Sequence, residues 1–275
     1  VENTLNGRRP YHEDVSVVDV TPPPGRAFPS TDESATEQTD ITLRHSIVRG
    51  DTTMLRASEA VPLRFAWYNG VFVTSLRLAE IGGSTITPSQ GELIVLELEH
   101  VTAFMDRGLM RVTTSEDSPH LLTTDVRCAN SILASNFVAP LFEHRGANTS
   151  VAYQGSMLFS GRQNFYQQVE IMWRVNAAVD RQSLEMDFQD WQDQWSWSEL
   201  GDEYRPTLGQ VSWRKLPDLA KSLHQHEASD YELNAGASNT VVESVNGERR
   251  HAGGILVELP QIYPANPLGN LGFDR

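Results

Sequence analysis

The sequence predicts a mainly β protein, an antiparallel β-sandwich of about eight strands with two short helices and extended N- and C-terminal arms. Two segments and the character of the ends lead to this. Gly91 to Val101 (GELIVLELEHV) alternates, with Ile94, Leu96 and Leu98 on one face and Glu97 and Glu99 on the other. Such period-two patterning suits a pleated, half-buried strand. Gln168 to Val175 repeats it far along the chain, setting Val169, Ile171, Trp173 and Val175 against Glu170 and Arg174. Both ends, by contrast, are rich in proline and polar residues and carry little that a core could use.

Taken in order, residues 1–44 read as an extended arm. They hold Pro22, Pro23 and Pro24 and the polar run Pro29 to Asp40, with a short extended piece at Val15 to Val20. The sandwich is expected over 45–259. Its strands begin at Ile41 and Ser46, and Val61 to Tyr68 follows. Asn69-Gly70 then leads into Val71-Phe72-Val73, which reads as a hairpin because that dipeptide favours two-residue turns. Ser75 to Ile81 fits a strand or a helical turn, and Leu109 to Thr114 a strand. Apolar spacing at Val126, Ala129, Ile132 and Leu133 predicts a short helix ended by Pro140. Val151 to Ser160 and Gln168 to Val175 read as strands around a second hairpin at Gly161 to Asn164. Helical insertions are expected near 183–200, where Leu184, Phe188, Trp191 and Trp195 form a stripe, and near 217–228, behind Pro217. Val241 to Val245 and Gly254 to Leu259 are late strands, and 260–275 a C-terminal arm. No internal repeat stands out.

Composition narrows the function. The 275 residues carry a net charge of −14. That speaks against a nucleic-acid binder, which needs a basic surface. It also speaks against docking on anionic membranes. No apolar run is long enough for a membrane-spanning helix. Lys215 and Lys221 are the only lysines, so nearly all positive charge is arginine. Base composition of a genome explains this most simply, although arginine also suits bidentate ion pairs. Cys128 is the single cysteine, so no intrachain disulfide forms, and its apolar neighbours make it a small buried hydrophobe.

Candidate sites are few. His224-Gln-His226-Glu227 lacks the i, i+4 geometry of a zinc helix. Asp187, Asp190 and Asp193, with Asp202 and Glu203, supply calcium-type oxygens, but the aspartates read more simply as a solvated helix face. Glu97 and Glu99 share a strand face and could resemble a glycosidase pair, or be the solvent side of the strand. Trp191, Trp195, Trp197, Tyr204 and Trp213 are the densest aromatic cluster, fit for a core, a subunit contact or, beside carboxylates, a sugar platform. No phosphate loop, dinucleotide fingerprint, nucleophile elbow or metalloprotease helix occurs, so neither catalysis nor a cofactor or metal is expected.

Arms flanking a β-rich middle resemble the jelly-roll coat proteins of non-enveloped icosahedral viruses. The resemblance implies a non-catalytic capsid subunit of a virion. It would assemble with copies of itself and other coat proteins through its arms, and a glycan receptor would be a further partner. Subunit contacts are then expected at Trp191, Trp195, Trp197, Tyr204, Trp213, Arg8 and Arg9. Unlike many such proteins, the chain has no basic arm beyond Arg8-Arg9, so direct genome contact is not expected. Two other classes fit the same features: a carbohydrate-binding or glycoside-active β-sandwich, and a phage tail or receptor-binding component.

Overall fold

A computed structural model describes residues 15–22, 38–89, 91–135, 138–196, 201–234, 242–245 and 248–260. The chain is mainly β, but its strands are parallel, and this corrects the expected antiparallel sandwich. They stack as six successive rungs of an open coil. The first rung holds β1 (Ser16–Val20) and β2 (Thr39–Gly50), the second β3 (Thr53–Ala57) and β4 (Leu63–Thr74), and the third β5 (Ala79–Gly82) and β6 (Leu93–Met105). The fourth holds β7 (Met110–Thr114), β8 (Thr123–Ala129) and β9 (Ile132–Ser135). The fifth holds β10 (Phe142–Gly146), helix α1 (Ser150–Gly155), β11 (Met157–Arg162) and β12 (Phe165–Gln167). The sixth holds β13 (Trp173–Ala177), β14 (Gln182–Met186), helix α2 (Phe188–Trp195), β15 (Gly201–Tyr204) and β16 (Thr207–Leu208). Two stretches of the expected N-terminal arm, Ser16–Val20 and Thr39–Arg44, are thus strands of the first rung.

Each strand pairs with its counterpart one rung away. One sheet runs β1-β3-β5-β7-β10-β13-β14, parallel until the antiparallel β14 closes it. The other stacks β2, β4 and β6, then continues as two arms, β8-β11-β15 and β9-β12-β16. The fold line between these arms is a column of residues at positive φ. His45, Asn69 and His100 lie at 47°, 59° and 55°, and Asn130, Gln163 and Arg205 at 48°, 53° and 53°. The register aligns all six. One left-handed residue turns the strand through a corner without interrupting the ladder on either side. Asn69-Gly70 is therefore a corner inside β4, and Gln163 a corner between β11 and β12; neither makes a hairpin. The helix expected before Pro140 is β8 and β9, whose apolar side chains fill both sides of the sheet.

Inward columns fill the coil. Phe65, Leu96, Val126 and Phe159 form one, Trp67, Leu98, Cys128 and Gly161 another, and Leu55, Ala79, Met110, Phe142 and Trp173 a third. The sixth-rung end is plugged by α2, capped at Asp187, whose carboxylate accepts from the N–H of Gln189 and Asp190. The helix is shorter than 183–200, because Ser183 to Met186 continue the sheet as β14. Around 217–228 there are only 3-10 turns, at Leu223–Gln225 and Ala228–Tyr231. That segment packs on the outer side of the β4–β6–β9–β12 face, where Val71, Val73, Phe104, Ile132 and Phe165 meet Val211, Trp213, Leu223 and Tyr231. Among the described residues no helix is long and apolar enough to cross a membrane.

A corner residue at positive φ tolerates asparagine and glycine and opposes β-branching. Asn130→Gly should be near neutral, whereas Asn130→Val should lower unfolding stability by about 1–2 kcal/mol. Urea denaturation of both variants checks this. Equal stability of the two would show that the corner is not held left-handed.

Candidate functional site

The outer face of the β4–β6–β8–β11–β15 stack carries the candidate site. Alternation sends every second residue outward, and the ladder lines those residues up across rungs. One outward column is Arg44, Tyr68, Glu99, Ala129, Arg162 and Tyr204. Beside it runs Ala66, Glu97, Arg127 and Ser160. Neighbours in a column are about 4.8 Å apart, the spacing of hydrogen-bonded strands. Small side chains at Ala129 and Ser160 leave a depression of about 310 Å³, bordered by Glu97, Glu99, Arg127, Arg162 and Tyr204.

Most charge on this face is paired. Arg64 donates to Glu97 Oε2 at 2.5 Å, and the Tyr68 hydroxyl donates to Oε1 at 2.8 Å. The hydrogen bond to Glu97 raises the Arg64 pKa above its ordinary value. Burial, aided by that carboxylate, raises the Tyr68 pKa. Arg44 lies over the Tyr68 ring, 4.6 Å from its centroid. Arg127 donates from Nε and Nη2 to Asp125 Oδ2 at 2.9 and 2.5 Å, and this raises the arginine pKa. Glu99 and Arg162 are exposed, and neither has an ion-pair partner among the described residues. Tyr204 is 52% exposed.

Directly beneath lies a carboxyl group that is largely, not wholly, enclosed. Glu203 is the inward residue of β15 and occupies the room that Gly161 leaves one rung below. It accepts hydrogen bonds from the Tyr166 hydroxyl and, at 2.5 Å, from the Trp191 indole N–H. Burial pushes its pKa up to about 7, against the opposing pull of these donors and Asn164. Two rungs of aromatics surround it: Trp191 stacks on Phe142 at 5.0 Å, and Trp195 on Trp173 at 6.3 Å. His144 lies inside the same end. Its Nδ1 accepts from the Trp173 indole N–H at 2.9 Å, so the ring proton sits on Nε2, which has no partner among the described residues. Burial lowers its pKa to about 3, which keeps it neutral.

The expected contact residues are therefore dispersed. Trp191 and Trp195 are wholly inside the coil, and Trp213 is buried against Phe104 and Tyr231. Tyr204 alone among the described members faces solvent, and Trp197, Arg8 and Arg9 lie outside the described residues. Glu97 and Glu99 do face solvent together, at the depression. His226 is buried with its Nδ1 2.7 Å from the Tyr231 hydroxyl, while His224 is exposed, so the two do not converge. Asp187 and Asp190 form a helix-capping box. Among the described residues no three His, Cys, Asp or Glu side chains are placed to hold a metal. Cys128 is buried and its thiol pKa is raised by that burial. Arg162 was not singled out from the sequence, and Glu203 was read there only as a possible calcium oxygen, because the roles of both depend on rung register. Comparison with protein-family models, curated proteins and solved structures yields no match.

Glu203 makes stability depend on pH. Its folded pKa of about 7 exceeds the ordinary 4.5, so the stability it contributes is full below 4.5 and is lost as pH rises through 7. The span corresponds to about 3 kcal/mol. Glu203→Gln, which stays neutral, should gain on the native protein by up to that amount between pH 5 and pH 8. Urea unfolding across this range tests it, and a difference that does not vary with pH would contradict the assignment.

Proposed function

We propose that this chain is a glycan-binding coil that holds an extended sugar chain on the outer face of its β4–β6–β8–β11–β15 stack. The observation that carries the reading is the outward column from Tyr68 to Tyr204. It sets Tyr204 at one end of a shallow depression and Tyr68, whose ring is faced by Arg44, beyond the other end, four rung steps or about 19 Å apart. Carboxylates and guanidinium groups lie between the rings. Sugar rings offer one flat apolar face and a rim of hydroxyls. The flat face suits a tyrosine ring, and the hydroxyls suit charged acceptors and donors, whose hydrogen bonds are stronger than neutral ones. A linear polymer also matches the shape, since the face is long, straight and built from one spacing.

The capsid expectation drew on an antiparallel jelly roll and on aromatics free to meet a neighbour. Parallel rungs replace the first, and Trp191 and Trp195 are spent inside the coil. The carbohydrate reading keeps its platform at Tyr204 rather than at the tryptophans.

Immobilised linear polysaccharides, neutral and acidic, should retain the purified protein. Tyr204→Ala should weaken binding about tenfold, the equivalent of one lost aromatic contact. Absence of binding across the panel by a correctly folded protein would sink the reading.

A further inference from the structure

We infer that the bound glycan carries carboxylates at intervals rather than on every ring, and that Arg162 selects them. This rests on the glycan-binding reading above and names the class of sugar. Arg64 is matched by Glu97, and Arg127 by Asp125. Two opposite charges at the depression, Glu99 and Arg162, have no ion-pair partner among the described residues. The register sets them two rungs apart in one outward column, with Ala129 between, which is about 10 Å. Tyr204 follows Arg162 by one further rung.

A sugar ring lying on Tyr204 would thus reach Arg162 with a substituent at its edge. A guanidinium group offers a planar fork of donors that matches a carboxylate with two parallel hydrogen bonds. A neutral sugar would leave that fork to water. Glu99 sets the other half of the preference. It accepts hydroxyls but repels an anion, so a carboxylate on every ring would meet it unfavourably. A chain alternating uronic acid with a neutral sugar meets both requirements: its acid at Arg162 and its hydroxyls at Glu99.

The test uses an alternating uronic acid and N-acetylhexosamine polymer, the same polymer with its carboxyls reduced to alcohols, and a homopolymer of uronic acid. The native protein should bind the alternating polymer about tenfold more tightly than the reduced one. Arg162→Gln should abolish that ratio, and Arg162→Lys should keep part of it. Glu99→Gln should strengthen binding of the homopolymer specifically. Equal binding of the native and reduced polymers, by both the native protein and Arg162→Gln, would overturn this inference and leave glycan binding standing. Failure to bind any polymer, neutral ones included, would overturn both. Circular dichroism of each variant shows that the exposed substitutions leave the fold intact.

Discussion

Everything in this molecule depends on one constraint: each rung must hydrogen-bond in register to the rung before it. Parallel pairing fixes which residues share a column. The corner residues keep that pairing alive where the strand changes direction, because a single left-handed residue bends the chain while the strands on either side stay paired. Asn69 does more than bend. Its side-chain Oδ1 accepts from the Ile255 N–H at 2.7 Å, and its Nδ2 lies 3.2 Å from the Ile255 carbonyl, which ties the C-terminal segment to the corner column. The corner thus links the coil to the strap that covers its outer apolar face.

Register is reinforced by charge. On the outer side of the β1–β14 sheet the column reads Asp19, Arg56, Glu80, Arg111, Glu143, Arg174 and Glu185, alternating in sign at every rung. Arg56 lies 3.4 Å from Glu80, and Arg174 donates to Glu185 at 2.6 Å. Arg77, almost wholly buried, bridges Glu80 and Glu143 at 3.4 Å each, and burial lowers its pKa to about 10. Each partly exposed pair contributes little alone. A strand that skipped a rung, however, would set like charges opposite one another at that step, so the ladder discriminates between pairings more than it adds stability. The scarcity of lysine then has a structural use, since arginine reaches and forks where an ammonium group would not.

Much of this was legible, though not in the form it took. The alternation of Gly91 to Val101 located β6 and both of its faces. The stripe of Phe188, Trp191 and Trp195 located α2. What misled was the local chemistry of Asn69-Gly70, which favours a left-handed residue in a corner as much as in a hairpin. Only the partner strand tells the two apart, and partners lie outside any local window. The decisive signal was the repeat. Arg56, Glu80, Arg111, Glu143 and Arg174 recur at steps of 24, 31, 32 and 31 residues, each flanked by apolar residues save for His144 after Glu143. His45, Asn69, His100, Asn130 and Gln163 recur at 24, 31, 30 and 33. A period of that kind points to stacked rungs, but the columns repeat residue character rather than identity, so no segment matches the next residue for residue. A helix at Ser150 to Gly155 and the 183–196 insertion then break the period further.

The same stacking explains why the candidate site has no sequence motif. Tyr68, Glu99, Arg162 and Tyr204 are far apart in the chain and become a straight line only through pairing. Loop lengths between rungs are free to vary without disturbing that line, whereas one residue added inside a strand would exchange its inner and outer faces. The effect is sharpest in β15, where Glu203 points in and Tyr204 points out. A slip there would expose a carboxyl that now sits among Tyr166 and Trp191 and would bury the ring that borders the depression. The strand is only four residues long, yet both ends are pinned. Gly201 lies at φ 147°, where a side chain would collide with the Phe159 carbonyl, and Arg205 is the last residue of the corner column at 53°. Backbone geometry at those two positions, rather than any contact made by Glu203 or Tyr204, decides which of the two faces the core and which faces a ligand.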